Sequence, residues 1–392
     1  MGKKWFSLGE ISKYHIIAFL IPVFNMLTTY VQRDEIIENE GDQQNDFNEE
    51  YEFPYLINNI ISKLFSGILC LISKYIINKR ELPSSLRRLK IYHLNVNSKN
   101  KLKILSYIIV ISVLEVIYLI ENIKTLKIKG LIENKLGFTI FVPIFSFFLL
   151  KTKYYRHHFV SIAITLFGFI FVIFSLFFPT NDENNTFKDN LRHFLFSIPY
   201  SISLVLIKHM FMHYFIDSFM FLFLDGIFCL LFSFFYIFIK LLIFYQDGHL
   251  FAKNIKNMFF MFENLRIFSL FLCILFFSFL YYLSKVVTLY LFSPTLMVMT
   301  DILSPILTYI IDCIVKRIFN YDNIDERQSV LKGIGYIFFI LASLIFNEII
   351  ICNFWQLNYN TNIQIEIRGI EDALQKSDTK VSRSDTIMST NI

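Results

Sequence analysis

The sequence predicts an all-α integral membrane protein, with ten transmembrane helices arranged as two inverted five-helix repeats. Three observations carry that expectation. Apolar residues make up 55% of the 392-residue chain and charged residues 18%, with a mean hydropathy of +0.52, and a soluble domain of this length carries more charge. Ten apolar runs of ~20 residues, the length that crosses ~30 Å of hydrocarbon, alternate with polar loops. The fourth and fifth runs also resemble the ninth and tenth in layout. Each pair has a proline-bearing helix (Pro143, Pro305), a polar connection, then an apolar helix with small residues seven apart: Ser161 and Gly168 in one, Gly335 and Ala342 in the other. Five spans per half is an odd number, so the second half must sit upside down relative to the first.

The resulting organisation is a cytosolic N-terminus at residues 1–13, a first repeat at 14–178, a second at 191–353 and a disordered cytosolic tail at 354–392. Lys3, Lys4 and Lys13 precede the first run, Tyr14–Val31, which has no small-residue cleavage site and reads as an uncleaved helix. The opening MGKKWFS places Phe6 where a myristoylation signal needs Ser or Thr. Asn25, Thr28, Thr29 and Gln32 share a face of this helix. An acidic loop, 33–53, follows, without apolar periodicity. The second span, Tyr55–Ile77, presents Asn59, Ser62, Lys63, Ser66, Cys70 and Ser73 along one side, either as helix-packing surface or as solute contacts.

Eight Lys and Arg residues crowd Lys79–Lys103, against Arg33 alone in the preceding loop, so the positive-inside rule puts this loop and the N-terminus in the cytosol. Four lysines in Asn122–Leu136 run against the rule. The third span, Lys103–Ile123, carries Glu115 ~18 Å from its cytosolic end, near mid-membrane. The fourth, Leu131–Leu150, bears Thr139, Pro143 and Ser146 on a stripe and exits through the basic turn KTKYYRHH. After the fifth span, Phe159–Phe178, the polar loop Pro179–Asn190 holds a sequon at Asn184, an N-glycosylation acceptor if that loop is lumenal. The sixth span, Leu191–Met212, contains Pro199 and ends at Lys208 and His209, which read as snorkelling to the interface. The seventh, Ser218–Phe244, carries Asp225 with Cys229 and Ser233 on the same face.

The eighth and ninth spans form a hairpin, FLYYLSKVVTLYLFSPTLMVMTDILSPILTYIID (Phe279–Asp312), folded at Ser293-Pro294. Lys285 and Asp301 each lie ~10–12 Å from that turn and so at matched depth. A lone charge there costs ~2.5–3.5 kcal/mol, so two at one level imply mutual pairing or a polar cavity. Asp301, Ser304, Thr308 and Asp312 share a face. The tenth span, Val330–Ile351, closes with Asn347-Glu348.

Three segments carry a resemblance to a known family: FTIFVPIFSFFLLKTKYYRHHFVSIAITLFGFIFVIFS (Phe138–Ser175), SPTLMVMTDILSPILTYIID (Ser293–Asp312) and GYIFFILASLIFNEIIICNFWQLNYNT (Gly335–Thr361). Over about residues 10–360 the chain resembles the drug/metabolite transporter superfamily, in its EamA-like and solute carrier family 35 grouping. That resemblance implies ten helices, both termini cytosolic, and alternating access around a central cavity. The Phe-Tyr-Asn-Asn and Gly-Ala-Leu-Asn-Lys motifs of GDP-sugar carriers are absent.

The functional expectation is a secondary carrier or exchanger of a small polar or anionic metabolite, nucleotide-sugar-like in the family's terms, and not an enzyme. The candidate solute-contacting residues are Lys285, Asp301, Glu115, Asp225, Asn25, Asn59, Lys63 and Ser304. No cofactor or metal is expected, since the five cysteines lack metal-ligand spacing. The partners are the solute and the lipid bilayer, with a homodimer left open. A net charge of +5 spread over short loops speaks against nucleic acid. Two alternatives stand: an intramembrane aspartyl-type enzyme using Asp225 and Asp301, although Gly-x-Gly-Asp is missing, and a non-transporting membrane scaffold. HExxH, GxSxG and Walker-type loops are also missing. The expected address is an endomembrane (Golgi, endoplasmic reticulum or vacuolar), with the plasma membrane as the alternative.

Overall fold

The computed structural model describes residues 6–8, 20–24, 26–27, 52–79, 98–125, 131–176, 187–214, 216–243, 265–318, 326–353 and 357–361. Helices dominate: α1 at residues 20–24 and 26–27, α2 (Glu52–Lys79), α3 (Ser98–Thr125), α4 (Leu131–Leu150), α5 (Arg156–Leu176), α6 (Phe187–Tyr214), α7 (Ser218–Ile243), α8 (Leu265–Leu291), α9 (Pro294–Asp301), α10 (Leu303–Ile318) and α11 (Glu326–Phe346). Several begin before the predicted apolar run. The backbone ladder continues into polar residues, which hydropathy alone cannot reveal.

Among the described residues, six stretches are long and apolar enough to cross a bilayer: Lys101–Glu121, Arg156–Ser175, Phe194–Tyr214, Ser218–Lys240, Leu272–Leu291 and Pro294–Ile311. Their surface is turned inside out relative to a soluble protein. Phe147, Phe148, Phe167, Phe174, Phe234, Phe235 and Ile337 face outward, while Ser66, Ser112, Thr165, Ser201 and Thr288 are buried. Each buried Ser or Thr of this kind gains a partner cheaply when it returns its hydroxyl to a carbonyl one turn back, as Ser66 does to Ser62 and Ser201 to Ser197. This is a multi-pass membrane protein.

The α8–α9 hairpin turns where the sequence places it. Ser293 caps α9, its hydroxyl accepting from Leu296 N–H at 3.1 Å, and Pro294 takes the first helical position, where a missing N–H costs nothing. The helix of the expected ninth span is interrupted at Ile302, whose backbone angles stay helical (φ −60, ψ −19), so the span itself continues from Pro294 to Ile311. Pro305 supplies the cause, since it cannot donate to the carbonyl four residues earlier, that of Asp301, and its ring crowds that oxygen.

Two helix crossings are held together by small residues. A Cβ at Gly67 would lie 2.5 Å from Phe223 Cα, and one at Gly226 2.9 Å from Leu64 Cα, so α2 and α7 touch backbone to backbone. Moving up α2 from Leu64 to Gly67 means moving down α7 from Gly226 to Phe223, hence an antiparallel crossing. The same holds for α5 and α11. A Cβ at Gly168 would stand 2.8 Å from Gly335 O, and Ser161 Oγ donates to Ala342 O at 2.7 Å. The four small residues noted in the sequence therefore meet each other across one interface.

At one end of the bundle β1 (Phe6–Leu8) pairs antiparallel with β2 (Ile350–Cys352). The tenth predicted span stops at Phe346 because Glu348 adopts φ 57 and reverses the chain, with Asn347 Nδ2 donating to Ser343 O at 2.8 Å. Past it, Leu357–Asn360 forms a 3₁₀ turn whose Leu357 packs with Val160 and Ile164 of α5.

These crossings make a stability prediction. Gly67→Ala and Gly168→Ala each place a methyl against fixed backbone and cost about 1–3 kcal/mol. Gly333→Ala, with open space around it, costs nothing comparable. Thermal melts in detergent measure the contrast, and equal melting of all three variants would contradict the close approach.

Candidate functional site

Four ionisable side chains from four helices meet inside the bundle: Lys63 on α2, Glu115 on α3, Asp225 on α7 and Lys285 on α8. All are buried. Lys63 Nζ is ion-paired with both Glu115 Oε2 and Asp225 Oδ2, and stands 3.4 Å from Cys229 Sγ. Lys285 Nζ donates to the other Glu115 oxygen, Oε1, at 3.1 Å. Asp225 Oδ1 accepts from Ser112 Oγ at 2.6 Å. Glu115 is thus a bridge, one oxygen to each lysine.

Local sequence explains how these groups come within reach. Gly67 lies one helical turn beyond Lys63, and Gly226 directly follows Asp225. The backbone contact of α2 on α7 at those glycines brings the lysine stem onto the aspartate's helix. Side chains larger than glycine there would hold the helices apart and part Lys63 from Asp225. Two ammonium groups and two carboxylates also cancel formally, which a low-dielectric interior demands.

An aromatic wall flanks the lysines. Lys285 Nζ sits 4.6 Å from the centroid of the Tyr200 ring, a cation–π distance. Tyr200 stacks on Tyr118 at 4.5 Å and 26°, and Phe138 closes on both rings. Tyr200 and Tyr281 bring their hydroxyls to 3.4 Å.

Of the eight sequence candidates, the structure brings Lys63, Glu115, Asp225 and Lys285 together, and Asp301 is buried at the end of α9. The ion pair given to Lys285 runs to Glu115. Asn59 lies on α2 a turn before Lys63, and Ser304 lies past the interruption on α10; both are buried. Asn25 and the sequon residue Asn184 lie outside the described residues. Sequence reasoning left Ser112, Tyr200 and Tyr282 out. Tyr282 shows a face to Lys63 at 6.0 Å and sits three residues before Lys285, a spacing that could have drawn attention to it. A hydroxyl such as Ser112 gives no such sign.

The Glu115, Asp225 and Cys229 ligand atoms lie within 4.8 Å of one another and form the one group among the described residues spaced to hold a metal ion.

No family model matches the chain, and no curated protein matches it. Solved chains do resemble it. One, described only as the "crystal structure of protein", superposes over 86% of this chain and 98% of its own with a TM-score of 0.49 and 10% identity, too distant to bear on function.

A double-mutant cycle tests the bridge. Lys285→Met and Glu115→Gln are expected to be non-additive, with a coupling of about 0.5–3 kcal/mol in melts of the purified protein. Lys285→Met combined with Ser175→Ala, a hydroxyl bonded only within its own helix, should add. Strict additivity of the first pair would mean that the bridge carries no energy.

Proposed function

We propose that the chain is a secondary transmembrane carrier or exchanger of a small polar or anionic metabolite, working by alternating access between two inverted five-helix halves in an endomembrane. The observation that carries this reading is the meeting of Lys63, Glu115, Asp225 and Lys285, from four separate helices, deep in an apolar bundle. Ionisable groups are kept in such a place at a cost, and the usual return on that cost is a path for a polar solute. Lys285 is the cation available to it. Lys63 has two carboxylates, whereas Lys285 shares one and otherwise faces the Tyr200 ring, so an incoming carboxylate or phosphate can replace Glu115 at its ammonium.

The helix pairings support the halves. If α2 corresponds to α7, α3 to α8, and α5 to α11, then the reciprocal contacts of Gly67 on Phe223 and of Gly226 on Leu64 are related by a two-fold axis in the membrane plane, as inverted repeats require. The same correspondence sets Glu115 against Lys285, one charge of each sign from equivalent helices. In drug/metabolite transporters, which the sequence resembles, a solute site between halves is the expectation. The aspartyl-enzyme reading is less favoured, because Asp225 gives one oxygen to Lys63 and the other to Ser112.

Liposome reconstitution tests the proposal. Labelled nucleotides, nucleotide sugars and small dicarboxylates are offered to liposomes preloaded with the same compounds. At least one should exchange faster than into protein-free liposomes. Lys285→Met should reduce that exchange by about tenfold or more, the equivalent of ~1.4 kcal/mol of lost solute contact, while remaining monodisperse. Failure of every offered class to cross would leave the scaffold reading in possession.

A further inference from the structure

Glu115, Asp225 and Cys229 direct two carboxylates and a thiol at a common point, the donor set of a cation site. That point is filled by part of the protein. Lys63 Nζ is ion-paired with both carboxylates and lies 3.4 Å from Cys229 Sγ, and its side chain is 2% exposed. An ammonium asks of its surroundings what a small metal cation asks: anionic oxygens converging from several directions, with water excluded.

We infer that Lys63 is a tethered cation, seated where a co-transported metal ion would sit, so that the transport cycle uses no Na⁺, K⁺ or divalent cation. The inference rests on the transporter reading for its consequence, but the seat itself does not. Charge counting supports it. With Lys63 and Lys285 opposed to Glu115 and Asp225 the solute-free cluster is formally neutral, and a metal ion entering it without solute would leave a buried excess of positive charge. Displacing Lys63 instead would require a second buried anion to receive its ammonium. The close crossing at Gly67 and Gly226 holds the lysine stem on α7 and keeps it in the seat.

Cadmium, which favours thiolate and carboxylate together, is the probe for the seat. In purified parent protein, Cd²⁺ should produce no thiolate-to-metal ultraviolet absorption that Cys229→Ser removes. Lys63→Ala should acquire that absorption with a single equivalent of Cd²⁺, gain melting temperature on binding, and lose both effects when Cys229→Ser is added. A Cys229-dependent band in the parent, or none in folded Lys63→Ala, overturns the inference. If Lys63→Ala does not fold, the parent titration still decides, together with transport. Uptake by parent liposomes should be unchanged when Na⁺ and K⁺ are replaced by choline in the presence of chelator, and a requirement for any metal cation overturns the inference. If no solute crosses at all, the transporter reading fails, while the cadmium result continues to bear on the seat alone.

Discussion

Glu115 has two oxygens and two lysines to satisfy, and the interior of the bundle depends on that division. One oxygen goes to Lys63 and the other to Lys285, so α2, α3 and α8 are joined through one carboxylate, and α7 joins them through Asp225. Nothing in hydrocarbon substitutes for these partners. In water a lost ion pair is replaced by hydration, but here it exposes a charge to a medium that cannot solvate it, and breaking a buried pair costs roughly 3–5 kcal/mol. The helices are therefore held in register by a requirement for neutrality as much as by packing. The glycine crossing of α2 on α7 is the steric condition of that neutrality, since it sets how far Lys63 must reach.

Much of this architecture was legible in the sequence, because a bilayer forces simple rules on a chain. The apolar runs marked the helices and Ser293-Pro294 marked the hairpin, whereas Ser161, Gly168, Gly335 and Ala342, read as a repeated layout, prove to touch one another across an interface that the pattern did not announce. The interruption at Ile302 was less legible, although Pro305 was in view. A proline in a membrane helix produces anything from a slight bend to a full stop, depending on what neighbours offer its freed carbonyl.

The charged residues could be found but not matched. Each of the four stood out against its apolar surroundings, yet depth from the turn drew Lys285 toward Asp301, on the adjacent arm, while the structure gives it Glu115, distant in sequence on α3. Depth is one coordinate, and pairing needs rotation about each helix axis and the order of helices around the bundle. Lys63 was ambiguous for the same reason. A lysine among serines on one face reads as packing surface until the opposite helix is known to carry Asp225 next to a glycine.

Neutrality achieved by sharing differs in consequence from neutrality achieved by isolated pairs. Two separate pairs, Lys63 with Asp225 and Lys285 with Glu115, would each be complete, and a solute approaching either would compete with a full partner. Because Glu115 also serves Lys63, its hold on Lys285 is divided, and when an anion takes Lys285 the released oxygen remains beside a second ammonium. That oxygen keeps a hydrogen-bond donor, but Lys63 has one charge for two carboxylates, so the loaded cluster carries one negative charge in excess unless a proton enters with the anion. A carrier must pass between filled and empty states of similar free energy, since a ligand shifts such an equilibrium only by its differential affinity for the two states. On the proposed reading, the bridging carboxylate narrows that difference: it allows one lysine to exchange partners while the other keeps the released carboxylate hydrogen-bonded inside the bilayer.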